Sequence, residues 1–263
     1  MKTLSSNQAP KPPPFALRDF FNVFAMGIIL YVCFAGLLSF APGAGDFLDA
    51  IHPTLSFILQ YLLQLVILFF PLWVFVINKY DLSWKDFGLR KVSILKLIGL
   101  VLASYIGYFI ISTFLVTLFE FNNIQVPGYE AQESYIPFFG TDTLGMTAAF
   151  IFIVFIAPFL EEFFFRGFVY RVFTKTWPIW LGSIVTAALF ALIHFQFQSA
   201  IPLFILGLIL NYNYQKTGSI WTSIAFHSFN NFIAFSLEIY LYLHPEIFQE
   251  MQELATATIK LLG

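Results

Sequence analysis

Glu161, Glu162 and Arg166 stand in a stretch, Ala157 to Phe168, that is otherwise almost wholly apolar. A charge in membrane hydrocarbon costs about 2.5–3.5 kcal/mol on insertion scales. Such residues persist only where they are paired, face water or do chemistry. Helical spacing separates them. Glu162 and Arg166 are four apart and share a face, so they read as a structural ion pair. Glu161 is five from Arg166, points elsewhere and needs other partners.

Those partners come later in the chain. His194, His227 and Asn231 are polar residues in apolar runs, and His227 and Asn231 are four apart on one face. Phe190 is four before His194, so its ring can pack beneath the imidazole. A carboxylate, two imidazoles and a carboxamide suit hydrolysis of an amide. Glu161 can take a proton from water and His194 can orient that water. His227 and Asn231 can donate hydrogen bonds to the oxyanion on the scissile carbonyl. Glu161, His194 and His227 are also donors of the type zinc takes. No His-Glu-x-x-His text is present, and the preferred reading uses no metal.

Several neighbours read as bland. Asn230 faces another side of its helix. Ser223 shares a face with His227 but lies in no nucleophile motif. Gly43-Ala44-Gly45-Asp46 and Tyr80-Asp81 match aspartyl-protease text, but in loops on opposite sides and in the wrong order. His52 and His244 sit beside proline at segment ends and read as interfacial. Cys33 reads as a small buried hydrophobe.

The elements that must position the site are membrane helices. The chain has 263 residues, 59% of them hydrophobic and 11% charged, against roughly 25% charged in soluble domains. The expected fold is an all-α, polytopic transmembrane helical bundle of seven or eight spans. The apolar runs are 20–40, 55–77, 94–119, 144–173, 178–195, 201–214 and 220–243. Residues 1–19, rich in proline, read as a flexible cytoplasmic tail. Residues 20–243 form one transmembrane domain with a catalytic core at about 143–243, and 244–263 is a terminal helix or tail. Residues 81–90 read as an amphipathic cytoplasmic connector. Counting from the turns near Thr176 and Gly218 at 1.5 Å per residue puts Glu161, His194 and Asn231 at a common depth of about 20–25 Å. With the N-terminus inside, every Lys and Arg but Lys260 falls on the cytoplasmic side. No basic block points to nucleic acid.

Glu161-Glu162-x-x-x-Arg166, Phe190-x-x-x-His194 and His227-x-x-x-Asn231 resemble the three motifs of the CAAX prenyl endopeptidase type II family, also called CPBP or Abi intramembrane proteases. Arg166-Gly167-Phe168-Val169-Tyr170 and Thr217-Gly218-Ser219-Ile220-Trp221 are similar to its flanking text. The resemblance covers about 157–235. It implies a helical bundle whose intramembrane cavity opens to the cytoplasm, and endopeptidase activity. Glu161 and His194 would activate water, and His227 with Asn231 would form the oxyanion hole. The family has been described both as metalloproteases and as glutamate-dependent, so zinc is the alternative cofactor. The implied substrate is a peptide or protein, prenylated in eukaryotic members, met at the membrane lipid.

The rival from another class is a transporter, or a non-catalytic immunity or scaffold protein on the same fold. Intramembrane Glu, Arg and His also serve proton relays, but transporters often show two related halves. Here the intramembrane charges are confined to the second half. The composition suits a bacterial cytoplasmic membrane.

Overall fold

The computed structural model describes residues 12–41, 43, 50–121, 136–196 and 199–247. Among them the regular structure is helical, with no strand. Seven principal helices run as α1 (Leu17–Phe40), α2 (Pro53–Asn78), α3 (Ile94–Phe121), α4 (Thr143–Thr176), α5 (Ile179–Leu192), α6 (Ala200–Thr217) and α7 (Ile220–Leu243). Each expected apolar run forms one of them. In lipid the backbone must satisfy its own polar groups, which long apolar helices do.

Four helices, α1 to α4, are long and apolar enough to cross a membrane. Helix α5 is apolar but has 14 residues, about 21 Å against a hydrocarbon core of about 30 Å. Helices α6 and α7 carry polar side chains along their length. The protein is an integral membrane protein, and its burial pattern inverts that of a soluble one. Leu37, Phe40, Ile94, Leu95 and Phe114 are exposed, while Glu162, Arg166, Arg171, Asn211 and Asn213 are buried.

The tail expected at 1–19 is packed from Pro13 onward. Phe15 is buried, its ring 5.3 Å from Phe168 and 6.1 Å from Phe87. Lys175 Nζ donates to the carbonyls of Pro13 (2.8 Å) and Phe15 (3.1 Å). Asp19, also buried, accepts from Lys79 Nζ and from the Tyr80 hydroxyl. The proline-rich composition concealed one aromatic anchor. Residues 1–11, and 248–263 of the C-terminal segment, lie outside the described residues, as does Gly-Asp text at 45–46.

The expected connector contains a short 3-10 turn, Trp84–Phe87, closed by Gly88 in the left-handed region at φ +94°. A Cβ there would also stand 3.1 Å from the Tyr214 ring. The Gly88 carbonyl accepts from the Ile220 N–H at 2.9 Å, and the Arg90 carbonyl from the Ser219 hydroxyl at 2.6 Å. Phe87 in turn packs on Gly167. The α6–α7 turn is therefore level with Gly167, about two turns deeper than Thr176. The equal-depth count from the two turns fails for that reason. Asn231 lies level with Ile153, not Glu161, and it is His227 that meets the glutamates.

At the opposite end, Asp142 caps α4 by accepting from Gly145 N–H at 2.6 Å. That bond, with His52 Nε2 2.9 Å away, holds the Asp142 carboxyl below the usual range. Helices α5 and α6 pack at close range because Gly207 has no side chain. A Cβ there would lie 3.0 Å from Ala187 Cα and 3.1 Å from its Cβ. Gly207→Val is expected to cost about 1–3 kcal/mol by overpacking, read as a lowered melting temperature in detergent.

Helix α4 is not uniform. Two π-helical stretches, Phe152–Ile156 and Phe165–Val169, flank the eight-residue α segment Ala157–Phe164 that holds both glutamates. The first stretch has a visible cause. Ala157 N–H bonds to Phe152 O, five back, and Pro158 has no N–H. Neither nearby donor serves the Ile153 carbonyl. Asn231 Nδ2 on α7 donates to it at 3.0 Å.

Candidate active site

The segment Ala157–Phe164 presents its two carboxylates to different neighbours. Glu162 is fully buried, and Arg166 Nη1 donates to its Oε1 at 2.8 Å. The same oxygen faces His227 Nδ1 at 3.0 Å. Glu162 is thus shared between a cation and an imidazole, a contact that the reading of a simple Glu162–Arg166 pair did not include. Arg166 spends its remaining donors on α6. Nε donates to Asn211 Oδ1 at 3.2 Å and Nη2 to Gly207 O at 3.0 Å. Its guanidinium lies over the Phe190 ring at 4.8 Å. A buried arginine is tolerable here because each nitrogen has an acceptor.

Glu161 turns the other way. Its Oε2 is 3.6 Å from His194 Nε2 and 4.0 Å from His227 Nε2. That oxygen is buried and accepts no protein hydrogen bond. The side chain as a whole keeps 24% exposure.

His194 was expected at the end of a helix and lies just beyond it. Helix α5 ends at Leu192, and Phe195 takes φ +52°. The local contact survives. His194 Nδ1 is 2.6 Å from Phe190 O, and the two rings are 4.7 Å apart. A carbonyl only accepts, so His194 Nδ1 carries a hydrogen, and in the neutral ring Nε2 presents a lone pair to Glu161. The same holds for His227, because Glu162 beside Arg166 is an acceptor. Each imidazole is oriented by one nitrogen and faces Glu161 with the other.

Asn231 is placed differently. One amide hydrogen is spent on Ile153 O, so the structure brings together Glu161, Glu162, Arg166, His194 and His227, with Asn231 anchored one turn along. The Ser223 hydroxyl donates to Leu210 O at 2.9 Å, which occupies it. Asn211 was missed in the sequence, and it bridges α4 to α5 by donating to Ser183 O at 2.9 Å. Its signal was a carboxamide inside the run Leu206 to Tyr214, facing inward.

Glu161, His194 and His227 match the donor chemistry of a His₂-carboxylate zinc site. Among the described residues no group of three His, Cys, Asp or Glu side chains is placed to hold a metal ion.

Residues 143–233 match the family model described as type II CAAX prenyl endopeptidase, Rce1-like. An Escherichia coli protein described as an uncharacterized 24.3 kDa protein is 27% identical over 144 residues, 53% of this chain. The match spans 61% of that relative's length. No solved structure matches the chain significantly.

Proposed function

We propose that this chain, whose residues 143–233 match the Rce1-like type II CAAX prenyl endopeptidase model, hydrolyses a peptide bond by glutamate- and histidine-activated water. The observation that supports this most is the convergence of two imidazole Nε2 atoms on one unpartnered carboxylate oxygen, Glu161 Oε2. Two acceptors 3.6 Å apart repel unless a proton lies between them. A water donating one O–H to each satisfies both and is held for deprotonation. Glu161 takes the proton as the water oxygen attacks the scissile carbonyl carbon. The developing oxyanion then needs donors. His227, its Nδ1–H given to Glu162, can donate from Nε2 only when a second proton sits there. The second amide hydrogen of Asn231, one turn along α7 from His227, is the other donor in this reading. Glu161 returns its proton to the leaving amine.

The substrate in this reading is a peptide or protein met at the membrane, cleaved near a lipidated end. The protein sits in a bacterial cytoplasmic membrane with its N-terminus inside, and needs no resident cofactor. Zinc held by Glu161, His194 and His227 is the alternative. The test is proteolysis in detergent of a prenylated peptide panel, with and without a strong chelator, for wild type, Glu161→Ala and Glu162→Ala. Cleavage by the wild type that survives the chelator is the expected result. Activity lost to the chelator and restored by zinc overturns the metal-free reading. A scaffold or transporter gives no cleavage in any arm.

A further inference from the structure

Asn211 lies outside all three sequence motifs, yet it ends a buried chain of hydrogen bonds that leads into the site. Ser183 O accepts from its Nδ2 at 2.9 Å, and its Oδ1 accepts from Arg166 Nε at 3.2 Å. Arg166 Nη1 reaches Glu162 Oε1 at 2.8 Å, and that oxygen meets His227 Nδ1 at 3.0 Å. Asn211, Arg166, Glu162 and His227 are 1%, 0%, 0% and 3% exposed. Each link is shielded from bulk solvent.

We propose that Asn211 is a positioning residue for hydrolysis: by aiming the Arg166 guanidinium it holds the Glu162 carboxylate as sole acceptor for His227 Nδ1–H, and so fixes which His227 nitrogen faces Glu161. The argument rests on geometry at each link. A guanidinium is a planar fork whose donors move as one body. With Nε fixed by Asn211 and Nη2 by Gly207 O, Nη1 has one direction left, and Glu162 Oε1 lies along it. Release Nε and the fork can swing in its plane, drawing Glu162 with it. His227 then loses the acceptor that sets its tautomer. Asn211 itself touches neither His227 nor the reacting atoms. Its own orientation is fixed because a flipped amide would set Oδ1 against Ser183 O and Nδ2 against Arg166 Nε–H.

The inference rests on the proposed hydrolysis only for its effect on rate. The tautomer of His227 is measurable without a substrate. Imidazole nitrogen resonances distinguish N–H from a lone pair, and the protein has four histidines. The experiment is nitrogen-15 spectroscopy of histidine-labelled full-length protein in detergent, with the His227 signal assigned by its loss in His227→Gln. Wild type is expected to show Nδ1–H. Asn211→Leu is expected to broaden or reverse that signature, and to lower kcat about tenfold or more with KM little changed. Ser223→Ala removes an adjacent α6–α7 hydrogen bond without touching Arg166, and is expected to leave the His227 signature as it is. An unchanged His227 signal in Asn211→Leu overturns the proposal. So does an equal change in Ser223→Ala, which would show general loosening of the helix pair. If Asn211→Leu does not fold, Asn211→Gln moves the same two atoms by one methylene, and an unmoved signal there is equally decisive. A shifted signal in a protein that cleaves no peptide supports the positioning chain and counts against the hydrolase.

Discussion

Glu161→Gln is expected to lower kcat/KM for peptide hydrolysis by about 10²–10⁴-fold, the range that a positioned general base contributes. The change is close to isosteric. Gln cannot accept the proton that the attacking water must lose. The fold has little reason to respond, because Glu161 Oε2 receives no hydrogen bond from the protein. Removing a largely buried charge relieves desolvation, so the melting temperature should hold or rise. The amide can also donate to an imidazole Nε2. A stable, inactive protein is therefore the expected outcome, measured by peptide cleavage and thermal unfolding of the same preparation. Full activity in Glu161→Gln would remove the base from the mechanism.

Arg166→Met has the opposite signature. It leaves Glu162 buried without its cation, and breaking a buried pair from one side costs about 3–5 kcal/mol. For a chain of this size that lowers the melting temperature on the order of 10 °C. It also strands Asn211 Oδ1, which loses its donor. The double variant Arg166→Met with Glu162→Leu removes the stranded carboxylate, and is expected to regain part of the lost stability. Activity is not expected to return, because His227 Nδ1–H then has no acceptor. Stability and activity thus part company in the double variant. A double variant that recovers both would show that the pair serves folding alone.

The sequence exposed those residues whose charge is conspicuous in apolar text. Glu161, Glu162, Arg166, His194 and His227 stand out because each is costly in lipid without a partner, and spacing alone separated the two glutamates. The seven helices were legible for a similar reason, as long apolar runs bounded by proline, glycine and charge. What escaped was anything carried by carbonyls or by unremarkable polar residues. The link from Glu162 to His227 crosses 65 positions, and no local spacing predicts it. Asn211 reads as a tolerated carboxamide until Arg166 arrives beside it. The depth of the α6–α7 turn depends on the Phe87–Gly88 connector docking on Gly167, which hydropathy does not register. Phe15 looked like part of a soluble tail because its neighbours are proline.

The two π-helical stretches of α4 have a consequence for how the helix is indexed. A π turn holds one residue more than an α turn, so crossing it rotates everything beyond by about 100°. Helix α4 therefore has three angular settings along one axis. The outer part up to Ile151, the middle eight residues and the inner part from Tyr170 are phased independently. One wheel drawn through all 34 residues would aim the glutamates wrongly relative to at least one end. The same feature sets what loss of a single residue at either stretch would do. Loss there would return the helix to one phase and swing an end around. Loss inside 157–164 would instead turn Glu161 away from both imidazoles, so the phase of that middle segment is where this helix is least free to vary.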